Sequence, residues 1–227
     1  LERLDVNLSE LSRSERPGGV ELPPASAVVD GGVFRLVKGK IASNPFFIGQ
    51  CGGSPLRLEQ EGGDTETHPQ NVSVSTWVAG VFFPTRDVDH FKLPVKKGEA
   101  YWLEVYSHRL GCKTNPYVTA QLVGVAGDGK ETAEPVKEFY DLRENPGGRE
   151  FNVANRDMSW RFVAKQDGYC RMTLRDLFNQ TTSDPSRGYV MALRRENPDF
   201  RLVAHPETVS ANDDKNKTIE LMVTHLR

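Results

Sequence analysis

The sequence predicts an all-β chain, an antiparallel β-sandwich of jelly-roll or immunoglobulin-like type flanked by short strands from neighbouring modules. Three observations carry this. Two stretches about seventy residues apart share one plan: Asp87-Val-Asp89-His-Phe91 leading through Lys97-Gly98 to Tyr101-Trp102-Leu-Glu-Val105, and Asp157-Met-Ser-Trp160-Arg-Phe162 leading through Asp167-Gly168 to Tyr169-Cys-Arg-Met172. Apolar residues at every second position on both sides of a glycine turn predict half-buried β-hairpins, because a strand alternates its faces. From Leu56 onward further alternating runs follow at sandwich-like intervals, and no segment of that region sustains a helical period. Strands without intervening helices exclude a doubly wound α/β sheet and favour two sheets packed face to face.

The elements follow in order. Residues 1–30 are polar and broken by Pro17-Gly18-Gly19 and Pro23-Pro24, which favours linker, although leucines at 1, 4, 8 and 11 have the spacing of a short helix. Phe34-Arg-Leu-Val37 and Phe46-Phe47-Ile48, separated by Asn44-Pro45, read as strands closing a preceding module, so residues 1–55 form the first division. Strands are expected near 56–60, 74–83, 89–95, 100–107, 117–124, 136–141, 159–164, 169–175 and 188–195, with Gly127-Asp-Gly129 as a hairpin turn. The sandwich is assigned to 56–206. Beyond the charged loop Asn212–Lys217, Ile219–Arg227 alternates as a strand with nothing after it to pair against, so 207–227 reads as the start of a following module. No starting Met is present, and both ends read as cuts within a longer protein.

Composition narrows the partners. Among 227 residues, 29 Lys and Arg nearly balance 31 Asp and Glu, so a formal charge of −2 offers no general attraction to nucleic acid or an anionic membrane. No apolar run is long enough for membrane insertion by a helix. Cys51, Cys112 and Cys170 lack Cys-x-x-Cys spacing, which argues against a cysteine zinc site and leaves either one disulfide plus a thiol or three thiols.

The echoing segments, with Arg109-Leu-Gly111, Asn115-Pro-Tyr117, Gly148-Arg-Glu-Phe151-Asn152, Arg175-Asp-Leu-Phe178-Asn179 and Asn197-Pro-Asp-Phe200-Arg-Leu-Val203, resemble the bacterial pre-peptidase C-terminal domain over about residues 60–205. The form resembled recurs in long, multi-module exported proteins of planctomycete-type bacteria. The resemblance implies a non-catalytic β-sandwich that is secreted, periplasmic or on the cell surface, whose partners are neighbouring domains of the parent chain and, in some relatives, polysaccharide or matrix protein, sometimes with calcium. One departure bears on calcium: where the family has a Glu-Pro-Asn-Asp-like segment, this chain has Glu59-Gln-Glu61-Gly-Gly-Asp64-Thr65.

Three candidate sites follow. Glu59, Glu61, Asp64, Asp87 and Asp89 could supply carboxylate oxygens to calcium, a hard cation that takes six to eight of them, if the two segments are neighbours; otherwise Asp87 caps a turn and Asp89 faces solvent. Alternation places Tyr101 with Leu103 and Val105 in the core and turns Trp102, Glu104 and Tyr106 outward, so Trp102 and Tyr106 could offer a sugar-stacking patch or an inter-module contact. Arg109, Arg149, Glu150, Arg171, Arg175 and Asp176 read as an Arg-Asp network locking a sandwich edge, with an anionic-ligand groove for sulfated glycan as the alternative. Catalysis is not expected: the five histidines have no metal-ligand spacing and no Gly-x-Ser-x-Gly turn occurs.

Overall fold

The computed structural model of the chain describes residues 11–13, 25–26, 29–60, 65–141, 143, 145, 152–181, 183–197, 199–205 and 220–226. The expected helix over 1–11 lies outside them except for Leu11. The described chain is almost wholly β, as the alternation predicts. The strands are β1 (Leu11–Arg13), β2 (Gly31–Lys38), β3 (Ile41–Ala42), β4 (Phe46–Gly49), β5 (Leu56–Leu58), β6 (Gln70–Asn71), β7 (Trp77–Val81), β8 (Asp89–Val95), β9 (Ala100–Tyr106), β10 (Pro116–Val125), β11 (Glu131–Ala133), β12 (Lys137–Phe139), β13 (Met158–Val163), β14 (Gly168–Asp176), β15 (Gly188–Arg195), β16 (Asp199–His205) and β17 (Glu220–Leu226). A 3-10 turn, His108–Leu110, follows β9.

Two sheets make the sandwich. The first runs β11-β10-β14-β8-β6, with β12 also on β10; the second runs β13-β9-β15-β7-β5. All pairings within them are antiparallel except at one edge of each, where β5 joins β7 and β6 joins β8 in parallel. Between the sheets lie Phe91 and Leu93 of β8, Val118 of β10, and Cys170, Met172 and Leu174 of β14. They face Tyr101, Leu103 and Val105 of β9, Phe162 of β13, and Met191 and Leu193 of β15. Each fully buried large apolar side chain of this kind contributes roughly 1.5–3 kcal/mol.

The internal echo has a different meaning from the expected one. Neither half is a hairpin. β8 pairs with β14 and β9 pairs with β13, so each echoing segment is an arch that crosses from one sheet to the other. The two arches dock antiparallel, one onto the other, in both sheets. Their tips also touch: the Gly98 N–H donates to Ala164 O, the Ala164 N–H to Glu99 O, and the Lys97 N–H to Asp167 Oδ1 at 2.8 Å. A hairpin and an arch share the same period-two pattern, because in both a core-facing residue recurs at every second position. Pattern alone therefore could not separate them.

Outside the sandwich, β2 pairs with β1, β3 and β4, and among the described residues β16 pairs only with β17. The segment 199–205, read as part of the sandwich, thus forms a two-stranded sheet with the terminal strand across the expected boundary at 206. The terminal strand's partner precedes it in the chain. β4 ends against the sandwich: a Cβ placed on Gly49 would lie 3.2 Å from Leu110 Cδ2 of the 3-10 turn. Cys51, Cys112 and Cys170 are all free thiols.

Candidate functional site

The outer face of the second sheet carries the residues that alternation turned outward. Register sets Trp102 between Arg161 of β13 and Arg194 of β15, Glu104 between Ser159 and Ala192, and Tyr106 beside Val190. Tyr101, the neighbour of Trp102, is 1% exposed in the core, so the expected division of this adjacent pair holds. Glu104 is 7% exposed even though it lies on the outer face. Arg194 Nε binds it at 2.8 Å while the same guanidinium lies 5.6 Å from the Trp102 ring centre.

Tyr106 is engaged in the same way from two directions. Its ring lies 5.4 Å from that of Trp77, and the Arg109 guanidinium sits 4.0 Å over its centre. Burial, with the nearby Glu104 carboxylate second, pushes the Tyr106 phenol upward. A ring with a guanidinium over its face and an indole packed against it offers a pyranose little surface. Beyond Trp77 the face becomes apolar: Leu56 and Leu58 of the edge strand β5 are 54% and 66% exposed, opposite Trp77 and Ala79.

Arg109 belongs to the end of the sandwich. Asp157, fully buried, accepts hydrogen bonds from the backbone N–H groups of Ser107, His108 and Arg109 and from Arg109 Nε. The guanidinium also donates to Val105 O. Asp176 repeats the device, accepting from the N–H groups of Asn115 and Phe178 and from Arg187 Nη1. Asn179 completes the belt, donating from Nδ2 to the carbonyls of Phe82 and Pro84. Of the expected Arg-Asp set, Arg109 and Asp176 lock loops through different partners, Asp157 and Arg187. Arg149 and Glu150 lie outside the described residues.

The acidic set is brought together in part. Glu59 folds back from the end of β5, its Oε1 accepting the Val81 N–H at 2.9 Å and its Oε2 the Tyr189 hydroxyl at 2.6 Å. The Tyr189 oxygen also lies 2.9 Å from Asp89 Oδ2, which joins the two sheets through one phenol. Asp89 is therefore buried at 6% exposure and points into the sandwich, contrary to the expectation that it faces solvent. Its place in the strand's inward series, with Phe91 and Leu93, explains this: period two carries position 89 to the core face. Gly80 makes room for the group, since a Cβ there would fall 2.0 Å from Glu59 Oε2. Burial and the two carboxylates drive the Tyr189 phenol well above its ordinary range. Glu61 and Asp64 lie outside the described residues, and among the described residues no three His, Cys, Asp or Glu side chains are grouped to hold a metal ion.

Sequence reasoning missed Tyr189, Asp157 and Asn179. A polar residue at an inward strand position or just beyond a strand end is the only trace such a group leaves, and it becomes legible only once the facing sheet is known.

No known family matches the chain, and no curated protein does. Among solved structures it is similar to CorA, described as a surface-associated copper-binding protein important in copper acquisition by Methylomicrobium album BG8. That likeness has a TM-score of 0.33 and 6% identity, covering 55% of this chain and 97% of the other.

Proposed function

We propose that the chain is a non-catalytic spacer and interaction module of a larger exported bacterial protein, with its sandwich of the pre-peptidase C-terminal type holding flanking sheets apart. The placement of the two neighbours supports this reading. Gly49 of β4 meets Leu110 at the end of the sandwich where β9 finishes and where Ser107 Oγ donates to Gly188 O at the start of β15. The chain leaves the sandwich at the other end, where the Glu196 N–H donates to Ala100 O, and β16 begins three residues later. Three residues reach about 10 Å at most, so the terminal sheet stays near that end. The β4 contact and the exit toward β16 thus lie at different ends of the sandwich, and belts of buried Asp and Asn stiffen its loops. Engagement of Trp102 by Arg194, and of Tyr106 by Trp77 and Arg109, speaks against a sugar-stacking platform on that face.

Small-angle X-ray scattering from the whole chain tests the reading. An elongated outline, with the β2 and β16 sheets at opposite ends, is expected. A compact outline with both flanking sheets folded over the sandwich faces would overturn it.

A further inference from the structure

The outer face of the first sheet holds a groove of about 400 Å³ that the spacer reading does not use. Asn71, Val72 and Ser73 form one wall and Val125 the other, while Pro94, Gly168 and the Tyr169 ring lie along its floor beside Lys92. Register explains the meeting: β6 places Asn71 opposite Lys92, and β14 places Tyr169 opposite Pro94. Gly168 lets β14 approach β10 closely, because a Cβ there would strike Val123 O at 2.0 Å.

The chemistry is polar at one end and apolar along the base. Lys92 Nζ stands 3.9 Å above the Tyr169 ring and has no carboxylate within ion-pair reach among the described residues. Three carboxylates lie beside this band, and each is engaged: Glu66 with Arg171 Nη1 at 3.1 Å, Glu131 with the Tyr169 hydroxyl at 2.9 Å, and Asp167 with the Lys97 N–H at 2.8 Å. The side chains of Asn71 and Ser73 make no hydrogen bond among the described residues. An ammonium, an amide and a hydroxyl therefore converge on a groove floored by a proline and the edge of a tyrosine. Arg171, directly opposite Lys92, is held by Glu66 and the Tyr169 hydroxyl, which leaves Lys92 as the groove's cation.

We infer that this groove binds a uronic acid unit of an acidic polysaccharide. The carboxylate would meet Lys92, held over the nearly buried Tyr169 ring, ring hydroxyls would meet Asn71 and Ser73, and the apolar C–H face would lie on the exposed Pro94. A groove open along its length suits one unit of a chain better than an enclosed small molecule. The lone ammonium supplies the charge complementarity. This goes beyond the spacer reading and uses the opposite face from Trp102.

Native affinity electrophoresis of the whole chain through gels containing polygalacturonate tests it, with fully methyl-esterified polygalacturonate and polyglutamate as parallel gels. Retardation by polygalacturonate alone is expected. Lys92→Gln should weaken it about fivefold, the scale of one accessible ion pair, and Lys92→Arg should largely restore it. Asn71→Ala with Ser73→Ala should weaken it without altering the melting temperature. No retardation by polygalacturonate, equal retardation by the ester, or stronger retardation by polyglutamate would overturn the inference. So would a loss caused by Trp102→Ala and not by Lys92→Gln. None of these results bears on the scattering outline, so the two proposals fail separately.

Discussion

Arg109 Nε and Asp157 Oδ2 lie 2.8 Å apart with both side chains almost sealed from water, 6% and 0% exposed. Asp157 spends its remaining lone pairs on three successive backbone N–H groups, so one carboxylate fixes the end of β9, the 3-10 turn and the start of β13 together. Breaking such a pair strands the partner's charge, which typically costs about 3–5 kcal/mol. Asp157→Ala and Arg109→Ala are each expected to destabilise the chain on that scale in urea unfolding. A loss below about 1 kcal/mol from either would show that the pair is not the lock described.

The assignment of faces makes Trp102 and Trp160 unequal. Trp160 packs within 4.4 Å of Phe162 and 5.0 Å of Phe139, measured between ring centres, and its removal should cost about 3–5 kcal/mol. Trp102→Ala loses a half-buried ring and its contact with Arg194, and about 1–2 kcal/mol is expected. Equal losses in urea titrations of the two variants would contradict the division of β9 and β13 between core and outer face.

At Gly80 the missing side chain is itself a structural element. A methyl group there would press on Glu59 Oε2 and on the Tyr189 ring at 2.5 Å. Gly80→Ala should lower the melting temperature by several degrees, in line with overpacking penalties of roughly 1–3 kcal/mol. An unchanged melting temperature would mean that Glu59 does not reach the phenol.

Alkali should unfold the chain cooperatively. Burial first, then neighbouring carboxylates, raises the phenols of Tyr189 and Tyr101, and burial pushes the Cys170 thiol up to about 12. Each folded pKa exceeds the unfolded one, so this stability is complete below the unfolded values near 9–10 and drains away as pH climbs above them. Urea midpoints should fall between pH 8 and 11, and tyrosinate absorbance from these groups should appear together with unfolding. The His108 imidazole is pushed the other way, chiefly by burial, so its contribution holds above its ordinary range and declines as pH falls below it.

The lengths and order of the sandwich strands were legible because alternation is a local property: 89–95 and 188–195 coincide with β8 and β15. What escaped was pairing. Lys97-Gly98 and Asp167-Gly168 look like hairpin turns, yet each carries the chain between sheets, and only the long-range register of β8 with β14 shows it. The short strands β6 and β11 escaped because two or three residues cannot display a period. At the sites, Trp102 could be turned outward by counting, but the Arg194 that covers it lies ninety-two positions away. Nothing local ties Lys92 to the Asn71 and Tyr169 that share its groove.

The short strand β5 also governs how the module would respond to tension. It begins at the same end of the sheet at which β15 finishes, because it is parallel to β7 while β15 is antiparallel to it. A pull on the two flanking segments therefore peels β5 from its first residue and loads its bonds to β7 in succession, beginning with Trp77 N–H to Pro55 O. The grip of Glu59 on Val81 and Tyr189 lies at the far end of that peel, where it acts as a stop. Release of such a strand would lengthen the chain by only a few residues while the two interlocked arches behind it stay paired.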